Sequence, residues 1–383
     1  MATSEPLDRD PPAPTEVLHA SERTRVTRLF LSGRTVIRKE PLGADAQRRL
    51  QHELAMLERL RGAAGIAQLA DDAPRYPGSI VLVDVGGTSL VELPKPLAVD
   101  DWVGVAVDLA HAVAEMHRRG VMHRDIAPAN IVMSDDGAPC LVDFALATPL
   151  AELRPDFTHH TEIVGTLAYL APEHTGRTGR SVDERADLYA LGATLYELAT
   201  GEPPFGSGDP LRLVHDHLAR VPVPPAQANP AVPVAVSEIV MHLLEKEPDN
   251  RYQTADGLVR DLEEVRDSPA GSADASLRIG ERDFPLRLLS PSRLVGRDAQ
   301  LATLRGAFED ALAGRCRGVL ISGVPRGSAR RRWPPRCGWS WRAGVVGSRP
   351  ASSTSTGATS SSTRPIRRFA RWAGCCSPSR SVI

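Results

Sequence analysis

The sequence predicts an α+β fold of two lobes, a small β-rich one followed by a larger helical one. Three observations carry that expectation. Residues 16–87 hold short β-rich runs with a single helix among them. After Gly86-Gly87 almost every periodic stretch is helical, and residues 185–200 are apolar nearly all round, as in a helix buried within a sizeable lobe. A cleft between two such lobes is a common place for a ligand.

Taken in order, residues 1–15 are acidic and proline-rich and read as a disordered leader; they lack the basic-then-apolar order of a signal peptide. In the small lobe, 16–87, strands are expected over 26–31, 34–38 and 79–85, with Ser32-Gly33-Arg34 turning the first hairpin. A helix over 46–60 places Leu50, Leu54 and Leu57 on one apolar stripe. In the larger lobe, 88–267, Trp102, Val105, Leu109, Val113 and Met116 recur on one helical face, which Gly120 ends. Ser237 and Thr254 are expected to cap two further helices, finishing near Val265. A linker follows over 268–291, its Ser/Ala/Gly/Pro-rich part running from Asp267 to Ala275. A second unit opens at 292, with a helix over 299–313 and an apolar strand over 318–322. From residue 326 Arg, Ser, Trp and Cys dominate, and 326–383 reads as an aberrant, disordered tail.

The formal net charge of −1 over 383 residues gives no global pull toward nucleic acid or an anionic membrane. No run of about 18 apolar residues is present, so no membrane insertion is expected. The five cysteines form no metal-ligand spacing and read as reduced thiols, in keeping with a cytoplasmic protein.

Chemistry concentrates in His123-Arg124-Asp125-Ile126-Ala127-Pro128-Ala129-Asn130, with Asp143-Phe144 thirteen residues beyond Asn130. Upstream stands Val36-Ile37-Arg38-Lys39, and fourteen residues after the lysine Glu53 falls on the apolar stripe of its helix. A carboxylate buried there needs a cation, and Lys39 is the natural one. Downstream come Gly165-Thr166 and Ala171-Pro172-Glu173.

Together these motifs resemble the protein kinase family, of the bacterial serine/threonine type, over roughly the first 270 residues. The resemblance implies a bilobal protein-kinase fold, ATP and Mg²⁺ as cofactors, and a protein hydroxyl as acceptor. It implies Asp125 as base, Asn130 and Asp143 as metal ligands, and Lys39 on the phosphates with Glu53 orienting it. Val26 would join the nucleotide pocket, and Thr166 would contact Asp125. It further implies that Asp187 braces the catalytic loop, that Arg251 pairs with Glu173, and that Thr158 or Thr161 is self-phosphorylated, with Arg124 receiving the charge.

Three departures stand out: Ala20–Val26 has no glycine where a glycine-rich phosphate loop belongs, Ala127 replaces a lysine, and Ala145 follows Asp143-Phe144 in place of glycine. They motivate the rival expectation, a weak or dead pseudokinase serving as a regulatory nucleotide-binding or docking module. Residues 292–325 resemble the start of an AAA-type P-loop ATPase domain, but Ser328 and Ala329 stand where the phosphate loop requires Gly and Lys. A shifted reading frame would account for that loss and for the altered composition beyond it. Kinase followed by such a unit resembles the front of bacterial multidomain sensor kinases.

Overall fold

The computed structural model describes residues 14–150, 166–268, 278–284, 298–313 and 315. The chain divides into two compact units, Met1–Leu289 and Ser290–Ile383.

The first unit opens with a four-stranded antiparallel sheet, β1 (Thr15–Ala20), β2 (Thr24–Leu31), β3 (Arg34–Pro41) and β4 (Ile80–Val83), paired in that order. The β2–β3 turn is the expected one: Leu31 pairs with Arg34, leaving Ser32-Gly33 as the loop. Strand β1 was not anticipated. All six of its side chains are exposed, so it has no buried face to print an alternation on the sequence.

Between β3 and β4 runs helix α1 (Ala46–Arg59). Its inward stripe is Leu50, Glu53, Met56 and Leu57, and Leu60 follows just past its end. Leu54, expected on that stripe, is 40% exposed; the stripe runs through Glu53 instead, one residue (about 100°) round the helix. Gln68 closes the C-terminal end of α1, donating from Nε2 to the carbonyls of Leu60, Ala63 and Ile66 and accepting from Gly62 N–H at 2.7 Å.

After Gly86-Gly87 come β5 (Thr88–Ser89), α2 (Val99–Arg118), β6 (Val121–Met122), β7 (Ile131–Met133), β8 (Pro139–Leu141) and β9 (Thr148–Pro149). The rest of the lobe is α3 (Arg185–Thr200), α4 (Pro210–Ala219), the short α5 (Pro225–Ala228), α6 (Val234–Leu243) and α7 (Ala255–Asp267). The face predicted for α2 is buried at every position named, and α3 is buried from Arg185 to Ala199. One continuous apolar cluster joins Met56, Leu57 and Leu60 of the small lobe to α2, α3, α6 and α7. The Trp102 indole donates across it to Leu195 O at 2.9 Å.

Thr254 caps α7, accepting from Gly257 N–H at 3.0 Å. Ser237 caps nothing. Helix α6 starts three residues earlier, after Pro233, and the buried Ser237 hydroxyl accepts from Ala226 N–H at 3.1 Å. A helix can begin at Val234 because Pro233 leaves its own missing N–H outside the hydrogen-bond ladder.

In the second unit the expected helix is α8 (Asp298–Leu312). The strand expected over 318–322, the phosphate-loop stretch, the tail and most of the leader lie outside the described residues. No helix among the described residues is long and apolar enough to cross a membrane.

Candidate active site

Strand β3 carries Lys39 and helix α1 carries Glu53, and their spacing brings both to the cleft side of the small lobe. Lys39 Nζ donates to Glu53 Oε1 at 2.6 Å and to Asp143 Oδ1 at 2.7 Å. Burial opposes the Lys39 ammonium, but the two carboxylates outweigh it and hold its pKa above the usual lysine value. Burial pushes the Glu53 carboxyl up against the pull of Lys39. Asp143 meets burial too, yet the lysine keeps it below the ordinary carboxylate range. The same Glu53 oxygen accepts from Phe144 N–H at 3.2 Å, so α1 and the segment that begins at Asp143 hold one another in place. Phe144 is fully buried, with its ring edge-on to His123 at 4.8 Å.

The residues of the His123–Asn130 motif lie between β6 and β7. Asn130 Nδ2 donates to Asp125 Oδ2 at 3.0 Å and to Asp125 O at 2.8 Å. Thr166 reaches Asp125 Oδ1 at 2.8 Å through its backbone N–H, a refinement of the contact expected of it. Val142 N–H donates to Asn130 O at 2.9 Å, setting Asn130 beside the strand that leads to Asp143. Val26 lies on β2, directly paired with Lys39 across the β2–β3 ladder.

Two residues of this region, Arg124 (φ 70°) and Asp143 (φ 65°), occupy the left-handed region without being glycine. Such conformers cost on the order of 1–2 kcal/mol each and persist only where the surroundings fix them. Asp187, wholly buried at the start of α3, does so for the loop. Its Oδ2 accepts from His123 N–H at 2.8 Å and bonds His117 Nε2 at 2.9 Å, and its Oδ1 accepts from Arg124 N–H at 2.8 Å. These donors hold the carboxyl below its usual range despite burial. Arg251 and Glu173 form a bidentate pair at 2.6 and 2.8 Å with side chains 0% and 1% exposed.

The three departures have structural counterparts. Ser21-Glu22-Arg23 make a tight β1–β2 turn, with Ser21 N–H donating to Thr24 O at 2.9 Å. Arg49 of α1 donates to Arg23 O at 3.1 Å from both terminal nitrogens, fixing the turn by side-chain contact instead of by glycine. Ala127 is fully buried. Ala145 is not among the residues with positive φ, so its Cβ meets no backbone penalty.

Sequence reasoning passed over the inter-lobe connection. Asp84 is bonded by Arg28 Nε at 2.7 Å and by Gly86 N–H at 3.0 Å, while Gly87 N–H donates to Asp135 Oδ1 at 2.8 Å. A Cβ on Gly87 would lie 1.7 Å from Met133 O, which explains the Gly-Gly pair read only as a lobe boundary. His52, beside Glu53, was also missed; its Nε2 reaches Ala147 O at 2.7 Å and ties α1 to the segment after Asp143. Thr158 and Thr161 lie outside the described residues.

Comparison with known proteins agrees with this geometry. The family model described as "Protein kinase domain" matches residues 34–261, more than half of the chain. The serine/threonine-protein kinase PknB of Mycolicibacterium smegmatis is 37% identical over 206 residues, covering 53% of this chain and 33% of that protein. PknB of Mycobacterium leprae and of Mycobacterium tuberculosis are each 35% identical over 206 residues, with the same coverage. The chain thus spans about a third of the length of the curated relatives it matches.

Proposed function

The chain belongs to the protein kinase domain family, and from that premise we propose that it transfers the γ-phosphate of ATP to serine or threonine hydroxyls of proteins in bacterial signal transduction. The observation that carries this reading is the convergence in one cleft of Lys39, Glu53 and Asp143 with Asp125, Asn130 and Thr166.

In this reading Lys39, held by Glu53, grips the phosphates. Asp125 takes the proton of the incoming hydroxyl on its carboxylate; Asn130 and the Thr166 amide each hold one of its oxygens and so fix the carboxylate plane. A base positioned in this way contributes on the order of 10²–10⁴-fold. The donor set suits a hard cation: Asn130 commits its Nδ2 to Asp125 and keeps its amide oxygen, and Asp143 presents a carboxylate whose side chain is 43% exposed. Bound there between Asn130 and Asp143, Mg²⁺ would neutralise phosphate charge. Val26, next to Lys39 on the sheet, would face the nucleotide.

Asp125→Asn is expected to keep ATP binding and lose phosphate transfer, measured with labelled ATP and Mg²⁺; equal activity in the variant would refute the assignment. Among the described residues no feature of the cleft favours the pseudokinase reading. Self-phosphorylation at Thr158 or Thr161 is proposed on the strength of Arg124, whose Nη1 among the described residues has only Thr148 Oγ1 at 3.3 Å and whose pKa burial lowers. A cytoplasmic location is proposed from the composition. The start of an AAA-type unit at 292–325 is proposed from its motif and from α8, and resequencing the gene tests the shifted frame.

A further inference from the structure

The match to the protein kinase family model ends at residue 261, yet the compact unit that contains it runs on to Leu289. Residues 278–284, inside the stretch read as a linker, form a turn packed on the large lobe. Asp283 N–H donates to Gly280 O at 3.1 Å, and Ile279 packs against the main apolar cluster. The Asp283 carboxylate sits at the N-terminus of α7. Its Oδ1 accepts from Thr254 N–H at 3.0 Å and from the Thr254 hydroxyl at 2.7 Å, while its Oδ2 accepts from Gln253 N–H. The Thr254 hydroxyl is itself the cap of α7, so Asp283 completes a relay from the cap outward.

The turn is held at two more points. Gly280 N–H donates to Asp261 Oδ2 at 2.8 Å, on the oxygen that also accepts from the Tyr252 hydroxyl at 2.6 Å. Arg260 Nη1 donates to Arg282 O at 2.7 Å. Close approach is built in as well: a Cβ on Gly257 would lie 2.5 Å from Asp283 Cγ. Glycine inside a helix is unfavourable by about 1 kcal/mol relative to alanine, so its presence in the first turn of α7 suits a position that must admit another group.

We propose that the N-terminal end of α7 is a docking site for an acidic turn, and that residues 278–284 of this chain are its resident occupant. The site is made of the Gln253 and Thr254 amides, the Thr254 hydroxyl, the Asp261 carboxylate and the gap left by Gly257. Gln253 also links the site to the interior, since its Oε1 accepts from Arg185 Nη1 at 2.8 Å at the start of α3. Residues 278–284 are therefore held at α7 by a specific contact, independently of the proposed catalytic reading.

The test uses the full chain and a double-mutant cycle. Gly257→Ala alone should lower the thermal midpoint by about 2–4 °C, because the methyl collides with Asp283. In the Asp283→Ala background the same substitution should raise the midpoint, because only helix propensity remains. Asp283→Ala and Asp283→Asn should each speed hydrogen exchange at the Gln253 and Thr254 amides, the alanine variant at least tenfold. The proposal is overturned if Gly257→Ala raises the midpoint equally in both backgrounds, or if those amides exchange alike with and without the Asp283 carboxylate.

Discussion

Replacing Arg251 with methionine should remove most of the stability of the large lobe. The guanidinium is 0% exposed, and all five of its N–H donors are used: two on Glu173, one each on Glu245 O, Arg185 O and Lys246 O. Methionine fills much of the volume and none of the bonds. Breaking a buried pair by removing one partner is unfavourable by about 3–5 kcal/mol, and three carbonyls stripped of a donor add roughly 1 kcal/mol each. The sum approaches the whole of a typical domain's 5–15 kcal/mol. Urea unfolding followed by circular dichroism measures it, and adding Glu173→Leu should recover a large share, since the stranded charge then disappears. The pH dependence supplies an independent check. In the native protein Arg251 outweighs burial and holds Glu173 below its usual pKa, so its contribution is present above the unfolded value and lost on acidification. Without Arg251, burial alone raises that pKa above the unfolded value, and the Glu173 contribution should instead improve as pH falls. A single variant within about 1 kcal/mol of the native protein, or one whose stability keeps the native pH slope, would refute the reasoning.

Glu53→Gln should leave the fold intact and reduce phosphate transfer at least tenfold, because Lys39 keeps only Asp143; unchanged transfer of labelled phosphate would count against the orienting role. His174 and His217 are buried and held neutral, each pushed down to about 4. The unfolded chain takes up their protons first, so stability should be full above about pH 6.5 and fall by about 1.4 kcal/mol per pH unit per histidine down to pH 4. His174→Gln should flatten that slope by one histidine's share in urea titrations at pH 7 and 5. Gly87→Ala, at φ 67° and against Met133 O, should destabilise by at least about 2 kcal/mol. Gly104→Ala, on the open face of α2 with nothing within 4 Å of a new Cβ, should stabilise by up to about 1 kcal/mol, and thermal melts compare the two.

How far each feature was readable depended on whether it left a periodic or compositional trace. Glu53 was legible because a carboxylate on an apolar stripe demands a cation, and Lys39 duly meets it. The burial of α2 followed from the spacing of its apolar residues, and that of α3 from its being apolar nearly all round. The roles implied for Asp187 and Arg251 rested on resemblance, since a buried Asp or Arg has no local signature. Strand β1 was illegible because none of its side chains is buried. Ser237 misled because a hydroxyl before a helical run looks like a cap, whereas Pro233 had already started the helix. The turn at 278–284 is held by one carboxylate, its own backbone and the single apolar side chain of Ile279, and such contacts leave no periodic trace in the sequence.

The ammonium of Lys39 answers to α1 in one lobe and, through Asp143, to the stretch after β8 in the other. Prising the lobes apart would strand a carboxylate on one side or the other, so closure of the crevice and alignment of its charges are a single event. A substitution that merely loosens α1, far from any phosphate, should therefore be felt as misalignment at Asp143 before it is felt as unfolding.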